Sequence, residues 1–226
     1  MMDIKKLKKI IAVRFGLGLV GLGLLFFLPA GTLRFWEAWV YIAILFIPMT
    51  IVLTYFLKHD PEVLERRMRL KEKERVQKKI IIAADVLFLV AILLIGFDRR
   101  WDWSTVPVAL VIVSEAIVLA GYGIFIWVIR ANRYLSRTVE VDADQKVITT
   151  GPYAVVRHPM YAGVLLLYLF TPIALGSFWA MIPFVIMAAA VFPGRILNEE
   201  KVLLRDLTGY KEYMKKTRFR LIPGIW

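Results

Sequence analysis

The sequence predicts an all-α integral membrane protein of about six transmembrane helices, the last two joined in a tight helical hairpin. Three observations carry this expectation. Hydrophobic residues make up 59% of the 226 positions and mean hydropathy is +0.65, more apolar material than a water-soluble surface can hide. Six apolar runs approach the roughly 20 residues that a bilayer core demands. The charges sit in the gaps between those runs, and they sit unevenly. The N-terminus, the 58–79 loop, the 130–158 loop and the tail after 193 hold 27 of the 30 Lys and Arg residues, leaving Arg34, Arg99 and Arg100 for the opposite side. By the positive-inside rule, this arrangement places both termini in the cytoplasm.

The same composition excludes several classes. The formal charge of +12 falls at the ends of apolar runs with no soluble basic surface left over, so its partners are the headgroups of membrane lipids and not nucleic acid. Cysteine is absent, which removes disulfides, thiolate nucleophiles and Cys-ligated metals. His59 and His158 are the only histidines, too few for most zinc or iron centres, so no metal is expected. The basic start and first apolar run resemble a signal peptide, but five further runs follow and the first is read as a retained span.

Taken in order, Lys5, Lys6, Lys8 and Lys9 precede a span at about 10–28, with Arg14 near enough its end to snorkel. Gly16, Gly18, Gly21 and Gly23 give that span a smooth face for close helix approach. A second span at about 36–57 carries Trp36, Trp39 and Tyr41 as interfacial anchors. The charged stretch 58–79 opens with Asp60-Pro61-Glu62, a helix-start pattern, and its sparse apolar positions (Val63, Leu64, Met68, Leu70, Val76) predict a surface helix. Spans at about 80–97 and 105–129 follow. Glu115, near the middle of the latter, is an expensive intramembrane carboxylate expected to hydrogen-bond a neighbouring helix. Spans at about 159–175 and 178–192 are separated by Gly176-Ser177, hence the hairpin. The segment 195–216 reads as a separate amphipathic helix on the membrane surface.

One stretch, 145–163, packs polar and turn residues between two apolar runs. Thr149-Thr150-Gly151-Pro152 reads as a turn. His158 precedes Pro159, which drives it away from helix, and Pro159 suits the first helical position. Arg157, His158 and Tyr161 therefore gather at a helix N-terminus, where free N–H groups attract an anion. The hairpin brings this cluster toward Arg195, Asn198, Glu199 and Glu200, with Arg195 and Glu199 one turn apart on one helix face. Tyr210, Tyr213 and the closing Arg220-Leu221-Ile222-Pro223-Gly224-Ile225-Trp226 complete a third cytoplasmic group.

Gly151-Pro152-Tyr153, then Arg157-His158-Pro159-Met160-Tyr161-Ala162-Gly163, the hairpin, and Glu199-Glu200 with a later Tyr resemble the integral-membrane methyltransferases. That superfamily includes isoprenylcysteine carboxyl methyltransferases and phospholipid N-methyltransferases, and the resemblance runs from about Tyr122 to the end of the sequence. It implies two regions within one membrane domain: 1–121, N-terminal helices with the basic loop 58–79, and 122–226, the catalytic region. It also implies a cytoplasm-facing pocket for S-adenosyl-L-methionine and a lipid-accessible tunnel for a lipid-like or prenylated substrate. Carried over by position, Gln145, Lys146, Val147, Ile148, Tyr153, His158, Pro159, Met160, Tyr161 and Glu199 would bind the cofactor, although the family often has His where this chain has Gln145. Arg195 would contact the substrate's polar head, and Arg195, Glu199 and His158 would form the catalytic set. Methyl transfer needs alignment and neither metal nor thiol, which suits this composition. The leading acceptor is an isoprenylcysteine carboxylate, since arginine grips carboxylates in two-pronged fashion. A phospholipid amine, a sterol-type NADPH reductase and a non-catalytic membrane transporter or binding protein are the alternatives.

Overall fold

The computed structural model describes residues 3–68, 74–136, 138, 141–142 and 144–226. Its regular structure is helical throughout those residues: α1 (Ile4–Ala30), α2 (Trp36–His59), α3 (Pro61–Arg67), α4 (Arg75–Trp101), α5 (Val108–Ala131), α6 (Pro159–Ala174), α7 (Met181–Ile186), α8 (Phe192–Asp206) and α9 (Tyr210–Lys216). A π-helical turn, Met187–Val191, joins α7 to α8 without a break. Counting that joined helix as one, five helices are long and apolar enough to cross a membrane, and α6 is a shorter apolar helix of 16 residues. Large apolar side chains such as Leu17, Val20, Ile51, Ile82 and Ile112 stand exposed along these helices. That outward-facing hydrocarbon belongs against lipid, and the protein is an integral, multi-pass membrane protein.

The hairpin is tied at its turn by α4. Gly176 adopts φ +73°, and the Asp98 carboxylate at the end of α4 accepts from the Ser177 hydroxyl (2.5 Å), the Ser104 hydroxyl (2.6 Å) and the Ser104 N–H (2.7 Å). A buried carboxylate with three donors is satisfied without a cation. The core between the two ends is packed by Phe26, Ile92, Ile95, Phe184 and Met187.

Four expectations change. The amphipathic 195–216 helix is not separate: its first part continues the membrane helix to Asp206, and only Tyr210–Lys216 forms a helix of its own after Gly209 at φ +86°. The wide turn explains the continuation. Pro193 lacks an N–H and its ring crowds the carbonyl four residues back, and the π turn Met187–Val191 opens the backbone just there. In the 58–79 stretch α2 runs on through His59, Pro61–Arg67 forms a short helix and α4 begins at Arg75; residues 69–73, Leu70 among them, lie outside the described residues. The glycine face of α1 meets nothing: a Cβ at Gly16, Gly18, Gly21 or Gly23 would have no neighbour within 4 Å. Close approach is instead made by Gly121 and Gly163, where a Cβ on either would lie 2.8 Å from the other's carbonyl oxygen. This contact clamps α5 to α6. Finally, both Glu115 carboxylate oxygens are buried without a hydrogen-bond partner, contrary to the expected bond to a neighbouring helix.

Candidate functional site

The site lies at the end of the bundle where α5 and α8 finish and α6 begins. The backbone there follows from local chemistry. Gly151 takes φ +60° and opens a 3-10 turn, Gly151–Ala154, with Pro152 at its start. His158 sits extended before Pro159 (φ −123°, ψ 60°), and Pro159 occupies the first helical position of α6. The N-terminus of α6 is less open than expected. Pro159 has no N–H, and the Tyr161 N–H turns back to the His158 carbonyl at 3.0 Å.

The tail fastens this corner. Its Phe219 and Arg220 carbonyls accept the Arg157 and His158 N–H groups at 2.9 and 2.8 Å. The Arg157 guanidinium, 6% exposed, donates to Glu200 Oε1 (2.7 Å) and to the carbonyls of Thr217 (2.9 Å) and Arg218 (2.6 Å). Arg220 reaches the other Glu200 oxygen at 2.8 Å and lies over the Trp226 ring. His158 Nε2 stands 3.4 Å from Glu200 Oε1. Glu200 is thus a buried acid held by two guanidinium groups, an arrangement that locks α8, the α6 entry and the tail into one unit.

Glu199 turns the other way. Its side chain is 26% exposed, and its Oε1 is 3.9 Å from His158 Nδ1. Its Oε2 accepts the Tyr161 hydroxyl at 2.8 Å, and that same hydroxyl accepts from Arg195 Nε at 2.7 Å. Across from them, the Tyr153 hydroxyl accepts from Asn132 Nδ2 at 2.9 Å, while the Tyr153 carbonyl accepts from the hydroxyls of Tyr213 (2.8 Å) and Thr217 (3.2 Å). Burial raises the Tyr153 phenol above its ordinary range and pushes the Tyr213 phenol up to about 12. Both are therefore neutral donors near pH 7 and not bases.

These groups surround a partly enclosed cavity with about 800 Å³ of empty space, its open mouth included. Gln145, Lys146, Val147, Ile148, Tyr153, His158, Met160, Tyr161, Arg195 and Glu199 all line it. Pro159 does not: it is buried in the first turn of α6 and shapes the backbone instead. Gln145 closes its own turn, its side-chain oxygen accepting the Asp142 N–H at 3.2 Å. Val147 packs against Leu207, Tyr210 and Tyr213. Sequence reasoning missed Asn132, Tyr134, Leu135, Ser136 and Thr138, which come from the exit of α5, Leu203 from α8 and Leu207 just after it. The polar residues following Arg130, on the same charged side as 145–158, were the available signal. Glu115 is not among the lining residues, and no group of three or more possible metal ligands occurs among the described residues.

Comparison with known proteins gives three similarities. Residues 110–205 match the model of the isoprenylcysteine carboxyl methyltransferase (ICMT) family. A protein-S-isoprenylcysteine O-methyltransferase of Schizosaccharomyces pombe is 33% identical over 104 residues, 46% of this chain and 40% of that one. A probable protein-S-isoprenylcysteine O-methyltransferase of Oryza sativa subsp. indica is 30% identical over 130 residues, 56% of this chain and 64% of its own. The chain therefore spans less than two thirds of the length of these curated relatives. The solved structure of the eukaryotic intramembrane Ras methyltransferase ICMT superposes with a TM-score of 0.50 at 17% identity, covering 95% of this chain and 86% of that one, which establishes a shared fold. The stretch matched by that family model includes the turn at Gly151, the entry to α6 and the Arg195–Glu200 face of α8.

Proposed function

We propose that this protein transfers a methyl group from S-adenosylmethionine to the carboxylate of an isoprenylcysteine at the cytoplasmic face of a membrane. The observation that carries the reading is the cavity wall itself. A guanidinium (Arg195) and a partly exposed carboxylate (Glu199), one turn apart, share it with His158 and Tyr161, beside helices whose outer surface is hydrocarbon. The residues present fit the cofactor. Glu199 offers a carboxylate acceptor for amino or ribose hydroxyl groups, and Val147, Ile148, Leu203 and Leu207 offer an apolar wall for a purine. When bound, S-adenosylmethionine supplies an electrophilic methyl group on a sulfonium.

Each wall residue then has a task. Arg195 holds the acceptor carboxylate in the two-pronged geometry that leaves one oxygen directed at the methyl carbon. With Arg195 positioning the acceptor and Glu199 holding the cofactor, the sulfonium would supply its methyl group to a carboxylate oxygen, which would give a methyl ester with the neutral thioether as leaving group. No proton is transferred, so no general base is required, in keeping with neutral phenols around the cavity. Alignment is the main contribution, of about 7–11 kcal/mol in well-oriented systems. The apolar walls favour a step in which opposite charges cancel. In this reading residues 122–226 carry the reaction. The N-terminal part supports it from α3, whose Arg67 contacts the Met160 sulfur at 3.7 Å.

The charge asymmetry, 27 of 30 basic residues on the cavity's side by sequence, supports a cytoplasmic site and cytoplasmic termini. Protein in lipid nanodiscs, incubated with methyl-labelled S-adenosylmethionine, tests the assignment. Base-labile label on farnesyl- or geranylgeranyl-cysteine is the expected result. Label on aminophospholipid, or none on any acceptor, would overturn it.

A further inference from the structure

We infer that Tyr161 couples the two binding subsites, so that acceptor and cofactor bind with positive cooperativity through its hydroxyl. The inference rests on the methyltransferase reading and extends it. Tyr161 is 5% exposed, and its single hydroxyl accepts from Arg195 Nε at 2.7 Å while donating to Glu199 Oε2 at 2.8 Å. A buried phenol placed between a cation and an anion is polarised from both sides, and each bond strengthens the other. When an acceptor carboxylate engages Arg195, part of the guanidinium's charge is drawn away from the phenol. Tyr161 then donates less strongly to Glu199, and the carboxylate becomes a better acceptor for donors on the cofactor. By linkage the effect is reciprocal: cofactor donors at Glu199 make Arg195 a better carboxylate holder by the same factor. Tyr161 is therefore a positioning residue linking the two ligands. Its ring is fixed by packing beside Phe192 and His158, so the bridge is held in place before either ligand arrives.

Calorimetry with S-adenosylhomocysteine, with and without saturating N-acetyl-S-farnesylcysteine, reads the coupling directly. Wild-type protein is expected to bind the nucleotide at least about fivefold more tightly when the prenylcysteine is present, within the usual range for linked sites. Tyr161→Phe keeps the ring and its packing but removes the bridge, and should bring that ratio below about twofold. Glu199→Gln, read from the prenylcysteine side at saturating nucleotide, should lower the ratio as well, and covers the case in which the phenylalanine variant does not fold. A ratio unchanged in either folded variant overturns the coupling. Absence of nucleotide binding by the wild type would instead overturn the methyltransferase reading on which the coupling depends.

Discussion

Two adjacent acids in α8 have opposite fates, and the difference is set by what faces them. Glu200 is 4% exposed and bound by Arg157 and Arg220, whereas Glu199 opens into the cavity. Glu200→Ala leaves two guanidinium groups without their counter-charge, and breaking a buried pair costs about 3–5 kcal/mol. Its unfolding midpoint in detergent should fall steeply. Glu199→Gln should leave that midpoint almost unmoved while weakening S-adenosylhomocysteine binding about 10-fold or more, the worth of one charge-assisted hydrogen bond. The Glu-Glu pair was visible in the sequence, as was the Arg-His-Pro-x-Tyr run. Their division of labour was not, because it depends on Arg220 and on tail carbonyls that only the folded chain brings to Arg157.

Helix pairing shows where pattern reading succeeds and where it stops. Hydropathy located the first five apolar helices to within about six residues because the bilayer demands unbroken apolar length, but it ended the sixth well short of Asp206. It assigned close packing to the glycine-rich face of α1, where four glycines stand out in one run, yet the contact belongs to Gly121 of α5 and Gly163, the one glycine of α6. Pairing of two distant small residues leaves no local mark. Gly121→Ala would bring a methyl 2.8 Å from the Gly163 carbonyl oxygen, forcing α5 and α6 apart at about 1–3 kcal/mol. Gly18→Ala meets open space and should hold or raise stability through helix propensity alone, by up to about 1 kcal/mol. Opposite signs in a thermal-shift comparison are the expected outcome, and equal losses would refute this account of the packing.

At the scale of the molecule, the chain alternates between two ends. The polar knot of Asp98, Ser104 and Ser177 closes one end, while the tail, the α6 entry and the end of α8 build the cavity at the other. Charge asymmetry in the sequence separated the same two groups of loops, because Lys and Arg gather at the ends of apolar spans. The continuous helix from Met181 to Asp206 was read as two pieces, since Pro193 in a helical run ordinarily signals a stop.

The wide turn at Met187–Val191 makes that continuous helix behave like a threaded rod with one extra pitch mark. Everything beyond it is indexed by residue number, at about 100° per step of ordinary helix. The wide turn takes up one residue more than an ordinary turn, so excising Ala189 would let the coil close into ordinary winding with Arg195 and Glu199 still in phase. One alanine inserted after Val191 has no such turn to absorb it and would swing both side chains by roughly that angle, off the chamber they now face. The shortened protein should retain S-adenosylhomocysteine and the lengthened one should not; equal binding by the two would show that helix phase at this turn does not govern the chemistry downstream.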